Sequence, residues 1–143
     1  MSLPEKQITD FIHKHHIFTL ATSSGNIPYT CTCFYVYLSE LNMFVFTSDH
    51  GTRHVSEMLA QPAVAGAVAL ETTMVGKIQG IQFTGQALEL HDNLYDQALH
   101  LYLKKFPVAG FKKLVLWGIY PDFIKMTHNR LGFGKKLIWT KQS

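Results

Sequence analysis

From Ile27 to Leu38 the side chains alternate in character residue by residue, over a stretch long enough to read as one extended, half-buried strand. Tyr29, Cys31, Cys33, Tyr35 and Tyr37 share one face, and Thr30, Thr32, Phe34, Val36 and Leu38 share the other. The segments on either side are also strand-like. Ile17 to Thr22 is β-branched and apolar, and Ser23-Ser24-Gly25-Asn26 is a turn signal. Ser39 to Asn42 then turns the chain into Met43 to Ser48. Three strands joined in sequence by short turns predict an antiparallel meander.

The rest of the chain extends this pattern. Ser2-Leu3-Pro4-Glu5 reads as a capping box opening a helix that ends near His16, with Ile8, Phe11, Ile12 and His15 on its inner side. Gly51 to Gln61 is a short helix buried through Val55, Met58 and Leu59 and stopped by Pro62. Ala63 to Leu70 is a small-residue strand, and Glu71 to Lys77 a loop. Ile78 to Leu90 is a long strand in which Gly80 and Gly85 mark bends or bulges. Asn93 or Asp92 caps a helix to Lys105, with Tyr95, Ala98, Leu99, Tyr102 and Phe106 facing inward. Leu114 to Tyr120 and Phe123 to Thr127 are strands separated by Pro121, and a basic, Gly-containing tail follows. The expected fold is mainly β (α+β): one domain over residues 1–143, a closed antiparallel barrel with a few peripheral helices.

Composition narrows the function classes. Hydrophobic residues are 47% of the 143 and charged residues only 16%, so some apolar surface is expected to be covered by an oligomeric partner. The formal charge of +3 is partly a property of the tail and does not point to nucleic acid. No apolar run approaches the ~18 residues of a membrane helix, and the N-terminal residues lack a secretory h-region. A cytoplasmic location with reduced thiols is expected, since Cys31 and Cys33 share a strand face and are poorly placed for a structural disulfide.

The chemistry concentrates in Thr47-Ser48-Asp49-His50-Gly51-Thr52-Arg53-His54, which joins a strand to a helix. A helix N-terminus presents free N–H groups and partial positive charge to an anion. Gly51 permits close approach, and Thr47, Ser48 and Thr52 offer hydroxyls. Arg53 can grip phosphate oxygens bidentately, and His54 adds a donor. An ordinary capped helix with a solvated Arg has the same composition, so the segment alone leaves both readings open.

Leu20-Ala21-Thr22, the Gly25-x-x-Pro28 turn, and Phe46-Thr47-Ser48 followed by Thr52-Arg53-His54 carry a resemblance over nearly the whole chain. It resembles the pyridoxamine-phosphate-oxidase-like split barrels that bind flavin mononucleotide (FMN), and more closely their small bacterial YhbP branch. Leu131-Gly132-Phe133-Gly134-Lys135-Lys136-Leu137-Ile138-Trp139 is the most YhbP-like stretch. The resemblance implies a phosphate clamp at Thr47, Ser48, Thr52, Arg53 and His54. It also implies a homodimer with FMN at its interface, reached from the second subunit by Gln82 in Gln82-Phe83-Thr84-Gly85. Two departures weaken the clamp. Counted without gaps, the oxidase's strand-borne Arg and Lys fall on Cys31 and Val36, and the residue after the clamp Arg is His54 rather than Lys. Nothing matches the oxidase's C-terminal substrate motif, so pyridoxine-phosphate oxidation is not expected.

Individual residues keep two readings. Tyr35 flanks the isoalloxazine ring or packs in the core, and Gln82 meets a flavin polar atom or a backbone group across the interface. Cys31 and Cys33 lack Cys-x-x-Cys spacing and read as inert thiols. His50 and His54 need not share a face, so no metal site is expected. Gly132-Phe133-Gly134-Lys135-Lys136 lacks the context of a phosphate loop and reads as a flap over the barrel or dimer seam, anchored by Phe133 and Trp139. No side chain reads as an obligatory general acid or nucleophile. Two function classes follow. One is a flavin-dependent oxidoreductase acting on a small molecule. The other is a non-catalytic module on the same barrel that has lost flavin or holds haem or a deazaflavin.

Overall fold

The computed structural model describes residues 2–142. Its strands are β1 (Ile17–Ser24), β2 (Ile27–Leu38), β3 (Met43–Thr47), β4 (Ala63–Ala69), β5 (Gln79–Glu89), β6 (Leu116–His128) and β7 (Lys136–Thr140). Its helices are α1 (Lys6–Lys14), α2 (Arg53–Ala60) and α3 (Asp92–Lys105). The strands form one antiparallel sheet in the order β3-β2-β1-β4-β5-β6-β7, and β3 also pairs with β6. That second pairing closes a barrel, from which β7 extends as a flap strand.

Closure depends on β6 changing neighbours along its length. Leu116 to Ile119 pair with β3, and Phe123 to Thr127 pair with β7. Between them lie Pro121, which has no N–H to give a ladder, and Asp122. Opposite, the β5–β6 register shifts at Thr84/Gly85. The strand therefore bends without breaking, which corrects the expectation of two strands separated by Pro121. The bulge falls at Gly85, whereas Gly80 stays in register.

β3 is buried on both faces, which explains its unbroken apolar run Met43 to Phe46. Phe44 and Phe46 enter the barrel interior, where Phe18 contacts Tyr35, Phe44, Phe46 and Phe83 at 5.3–6.1 Å between ring centroids. Phe44 stacks on Phe83 at 4.4 Å and 13°. Met43 and Val45 face the other way, into a second core with Leu38, Leu90, Ala98, Tyr102, Leu114 and Leu116 beneath α3. α1 seals the barrel through Ile8, Phe11 and Ile12, spaced i, i+3, i+4.

Three local expectations fail at the start of α1, at the start of α3 and in the tail. The capping box at Ser2 does not form: α1 starts at Lys6 with Glu5 in the cap position and no side-chain cap bond. Pro4 disfavours a helical Leu3, so the helix begins after the proline. Neither Asp92 nor Asn93 caps α3; His91 holds that position, and Asp92 adopts φ 57°. The basic tail, expected as a flap anchored by Phe133 and Trp139, contains the strand β7 and keeps only one of those anchors. Trp139 anchors it at 9% exposure, whereas Phe133 is 83% exposed and anchors nothing.

A Cβ at Gly85 would lie 2.4 Å from the Tyr120 carbonyl oxygen and 3.0 Å from Pro121 Cα, both backbone atoms unable to rotate away. Gly85→Ala is expected to cost about 1–3 kcal/mol in urea unfolding. Gly76→Ala, at an open position, should stay within about 0.5 kcal/mol of the parent.

Candidate functional site

The alternation of β2 sets up the site. Toward the middle of the chain's fold its inner face gives Tyr35 and Tyr37, both buried, but toward the β1–β2 turn the same face emerges at the barrel rim as Tyr29, Cys31 and Cys33. β3 ends beside this rim, and the loop after Thr47 turns directly into α2, which packs across β1 and β2.

α2 is tied down by a carboxylate. Thr22 on β1 donates its hydroxyl to Glu57 Oε1 at 2.7 Å, and Arg53 Nε donates to Glu57 Oε2 at 2.9 Å. The Arg53 guanidinium lies 4.0 Å from the centre of the Tyr29 ring, adding a cation–π contact. The Thr22 hydrogen bond, followed by that of Arg53, holds the Glu57 carboxyl below the usual range despite its being buried. With Nε committed, the terminal guanidinium nitrogens of Arg53 remain for an external anion.

His54, the next residue, turns to the other side. Its Nε2 shares a 2.6 Å hydrogen bond with Ser48 Oγ, and burial lowers its pKa, so the imidazole is neutral at pH 7. One nitrogen of this ring and the sulfurs of Cys31 and Cys33 all lie within 4.8 Å of one another. The two sulfurs are 3.8 Å apart. Their mutual hydrogen bond favours ionisation of Cys31 and disfavours that of Cys33, which burial raises further.

The remaining clamp hydroxyls are turned to the main chain. Thr47 donates to the Val115 carbonyl at 2.8 Å and Thr52 to the Asp49 carbonyl at 2.9 Å. Thr52 therefore occupies the cap position of α2 without capping it, and the first-turn N–H groups have no side-chain partner. Trp117 Nε1 donates to the Ser48 carbonyl at 2.9 Å, fixing the loop from below. His50 points elsewhere, to Glu89 at 2.8 Å.

The structure thus gathers Ser48, Arg53 and His54 around the uncapped start of α2. It does not gather Tyr35 or Gln82 there. Tyr35 is fully buried and donates its hydroxyl to the Ile12 carbonyl at 2.6 Å, which fits the core-packing one of its two readings. Val36, at a position basic in the oxidase, packs against the second core. Gln82 is exposed on the outer face of β5, over a groove of about 320 Å³ lined by Thr19, Ala21, Ala65, Ala67 and Phe123. Sequence reasoning passed over Thr22, Tyr29 and Glu57, and it treated the two cysteines apart from His54. The i, i+4 spacing of Arg53 and Glu57 and the shared β2 face of Tyr29, Cys31 and Cys33 were the available signals.

Because the Glu57 carboxylate is favoured in the folded state, its contribution is present above about pH 4.3 and is lost as pH falls through the lowered folded-state value. Glu57→Gln should therefore destabilise the protein at neutral pH, with the difference from the parent shrinking on acidification. Chemical denaturation of both proteins at a series of pH values measures this.

No protein-family model matches the chain. A UPF0306 protein of Yersinia pestis bv. Antiqua is 38% identical over 135 residues, covering 94% of this chain and 91% of that protein. Among solved structures, a pyridoxamine 5'-phosphate oxidase-related, FMN-binding protein of Nostoc punctiforme aligns with TM-score 0.72 at 12% identity, over 96% of this chain and 91% of its own. A haem-binding protein of Mycobacterium smegmatis aligns with TM-score 0.73 at 15% identity, over 87% of this chain and 52% of its own. The barrel is thus a pyridoxamine-phosphate-oxidase-like split barrel, and at 38% identity over nearly its whole length the chain belongs to the UPF0306 family.

Proposed function

We propose that this protein is an FMN-binding flavoprotein that acts as a homodimer, with flavin serving an oxidoreductase reaction on a small molecule. The observation that carries the reading is the uncapped first turn of α2, with Arg53 pinned by Glu57 and Tyr29 beside it. Free N–H groups, a guanidinium with open terminal nitrogens and the Ser48–His54 pair form a donor set that suits a terminal phosphate. The FMN-binding Nostoc protein has the same fold, which supports the assignment. Bound flavin would supply the electron transfer, and the protein's part would be to hold the phosphate and exclude water from the ring.

The outer sheet face supports the dimer. Thr19, Ala21, Ala65 and Ala67 leave it shallow and small-featured, and Ile17, Phe34 and Ile138 are exposed on the same face at 45–59%. A second copy laid on this face would bury those side chains and bring its Gln82 toward the first copy's clamp.

Titration of the purified apo-protein with FMN, riboflavin and haem in parallel tests the assignment. FMN is expected to bind with one equivalent per chain, and Arg53→Ala should weaken FMN by about 10–100-fold, the size of a charge-assisted hydrogen bond, while riboflavin changes little. Equal losses for both flavins, or binding of haem alone, would overturn it. Ala67→Arg, which places a charge on the outer face, should give a folded monomer with weakened flavin binding, as read by sedimentation and fluorescence quenching.

A further inference from the structure

We propose that Cys31, Cys33 and His54 bind a thiophilic closed-shell metal ion, zinc(II) or copper(I), at the rim of the barrel. The three side chains come from two elements, Cys31 and Cys33 from the middle of β2 and His54 from the start of α2, and their ligand atoms converge within 4.8 Å. The sulfur separation of 3.8 Å fits this use. Two thiolates about 2.3 Å from a tetrahedral zinc stand ~3.8 Å apart, so a metal can be seated without moving the strand.

The same geometry argues against a disulfide. Side chains at i and i+2 of an extended strand leave it roughly parallel, about 6.6 Å apart at two rises of 3.3 Å, whereas a disulfide needs Cβ atoms within about 4.5 Å. Both residues lie inside the unbroken β1–β2 ladder, Cys31 opposite Leu20 and Cys33 opposite Phe18, so the backbone there cannot pucker without losing pairing. The thiols are free and only partly buried, which leaves a path for an ion.

The donor chemistry selects the metal class. Two thiolates and an imidazole favour soft or borderline cations over magnesium or calcium, which require oxygen ligands. Ser48 holds the imidazole on this side of α2 through its 2.6 Å hydrogen bond to Nε2. On coordination both thiols release their protons to solvent, and no electron is exchanged. Three protein ligands leave a fourth position open, the arrangement of reactive rather than purely structural zinc sites.

The site does not rest on the flavin reading. His54 is common to both, but the two thiols belong to the metal site alone, so cysteine substitutions separate them. The test uses the full chain, reduced and stripped of metal, titrated with zinc against a chromophoric chelator, with copper(I) against a copper(I)-specific chelator, and with cobalt(II) as a spectroscopic stand-in. One equivalent of metal per chain is expected. Cobalt should give thiolate-to-metal charge-transfer bands in the near ultraviolet and the intense visible bands of a tetrahedral site. Cys31→Ser and Cys33→Ser should each weaken binding by more than about 100-fold, because loss of a merely supporting contact already costs about 10–100-fold. His54→Ala should remove one nitrogen from the cobalt spectrum while the charge-transfer bands persist. Circular dichroism and melting of each variant show that the barrel is retained, and Cys33→Ser is nearly isosteric should Cys31→Ser prove unstable. Equal zinc and copper affinities for the parent and the Cys31→Ser/Cys33→Ser double variant would overturn the proposal. So would cobalt spectra without thiolate bands, or native protein whose thiols are fully oxidised and bind no metal after reduction.

Discussion

Everything in this barrel depends on β3 being covered from two sides and paired on both edges. Five residues long, it takes β2 on one edge and β6 on the other, and it sends Phe44 and Phe46 into one core and Met43 and Val45 into the second. Remove that strand and the sheet loses its closure, α3 loses the surface it packs on, and the loop that follows Thr47 loses its anchor. The candidate site is therefore an extension of the core: Ser48 is the first residue past the strand, and its carbonyl is held by the buried indole of Trp117.

From that anchor the chain enters α2, whose position is set by polar contacts more than by apolar burial. The helix is eight residues long and buries Val55 and Met58, so its register over the rim relies on Glu57 bridging Thr22 and Arg53. A buried carboxylate with one neutral and one charged donor is well satisfied and directional. It fixes which residues of the first turn face outward, leaving Arg53 on the Tyr29 side and His54 on the side of the cysteines.

Much of the fold was legible in the sequence because its signals were periodic and local. β2 was bounded correctly from alternation alone, and helical spacing picked out Ile8, Phe11 and Ile12 of α1 and Val55 and Met58 of α2. Leu59, expected to be buried with them, is 61% exposed because α2 turns that side to solvent. The errors came where tertiary context overrides local preference. Pro121 reads as a strand break, yet a bulge at Gly85 on the opposite strand lets β6 run through it. Phe133 reads as an anchor, but it sits on a short turn between Asn129–Leu131 and β7 that projects away from the core. At the site, the anion-binding segment was visible as a linear motif. Its meeting with Cys31 and Cys33 was not, because it depends on how far α2 leans over β2. Nor was the fate of Tyr35, since a strand face names which residues share a side and not where that side passes from rim to interior.

The balance of charge at the rim separates what each part of the site can attract. Arg53 brings one positive charge and Glu57 answers it, His54 is neutral at pH 7, and the two positions that carry basic residues in the oxidase hold a thiol and an isopropyl group here. Net charge therefore offers an anion little long-range pull. What remains on the α2 side is directional: N–H groups at a helix start and the outer nitrogens of a clamped guanidinium, which act at contact distance. On the β2 side the sulfurs offer polarisable lone pairs and no donor suited to phosphate oxygens. The replacement of an arginine by Cys31 thus does more than weaken a clamp. It makes one wall of the site a soft acceptor instead of a donor, so the phosphate proposed at the helix and the metal ion proposed at the strand would draw on different groups of one rim.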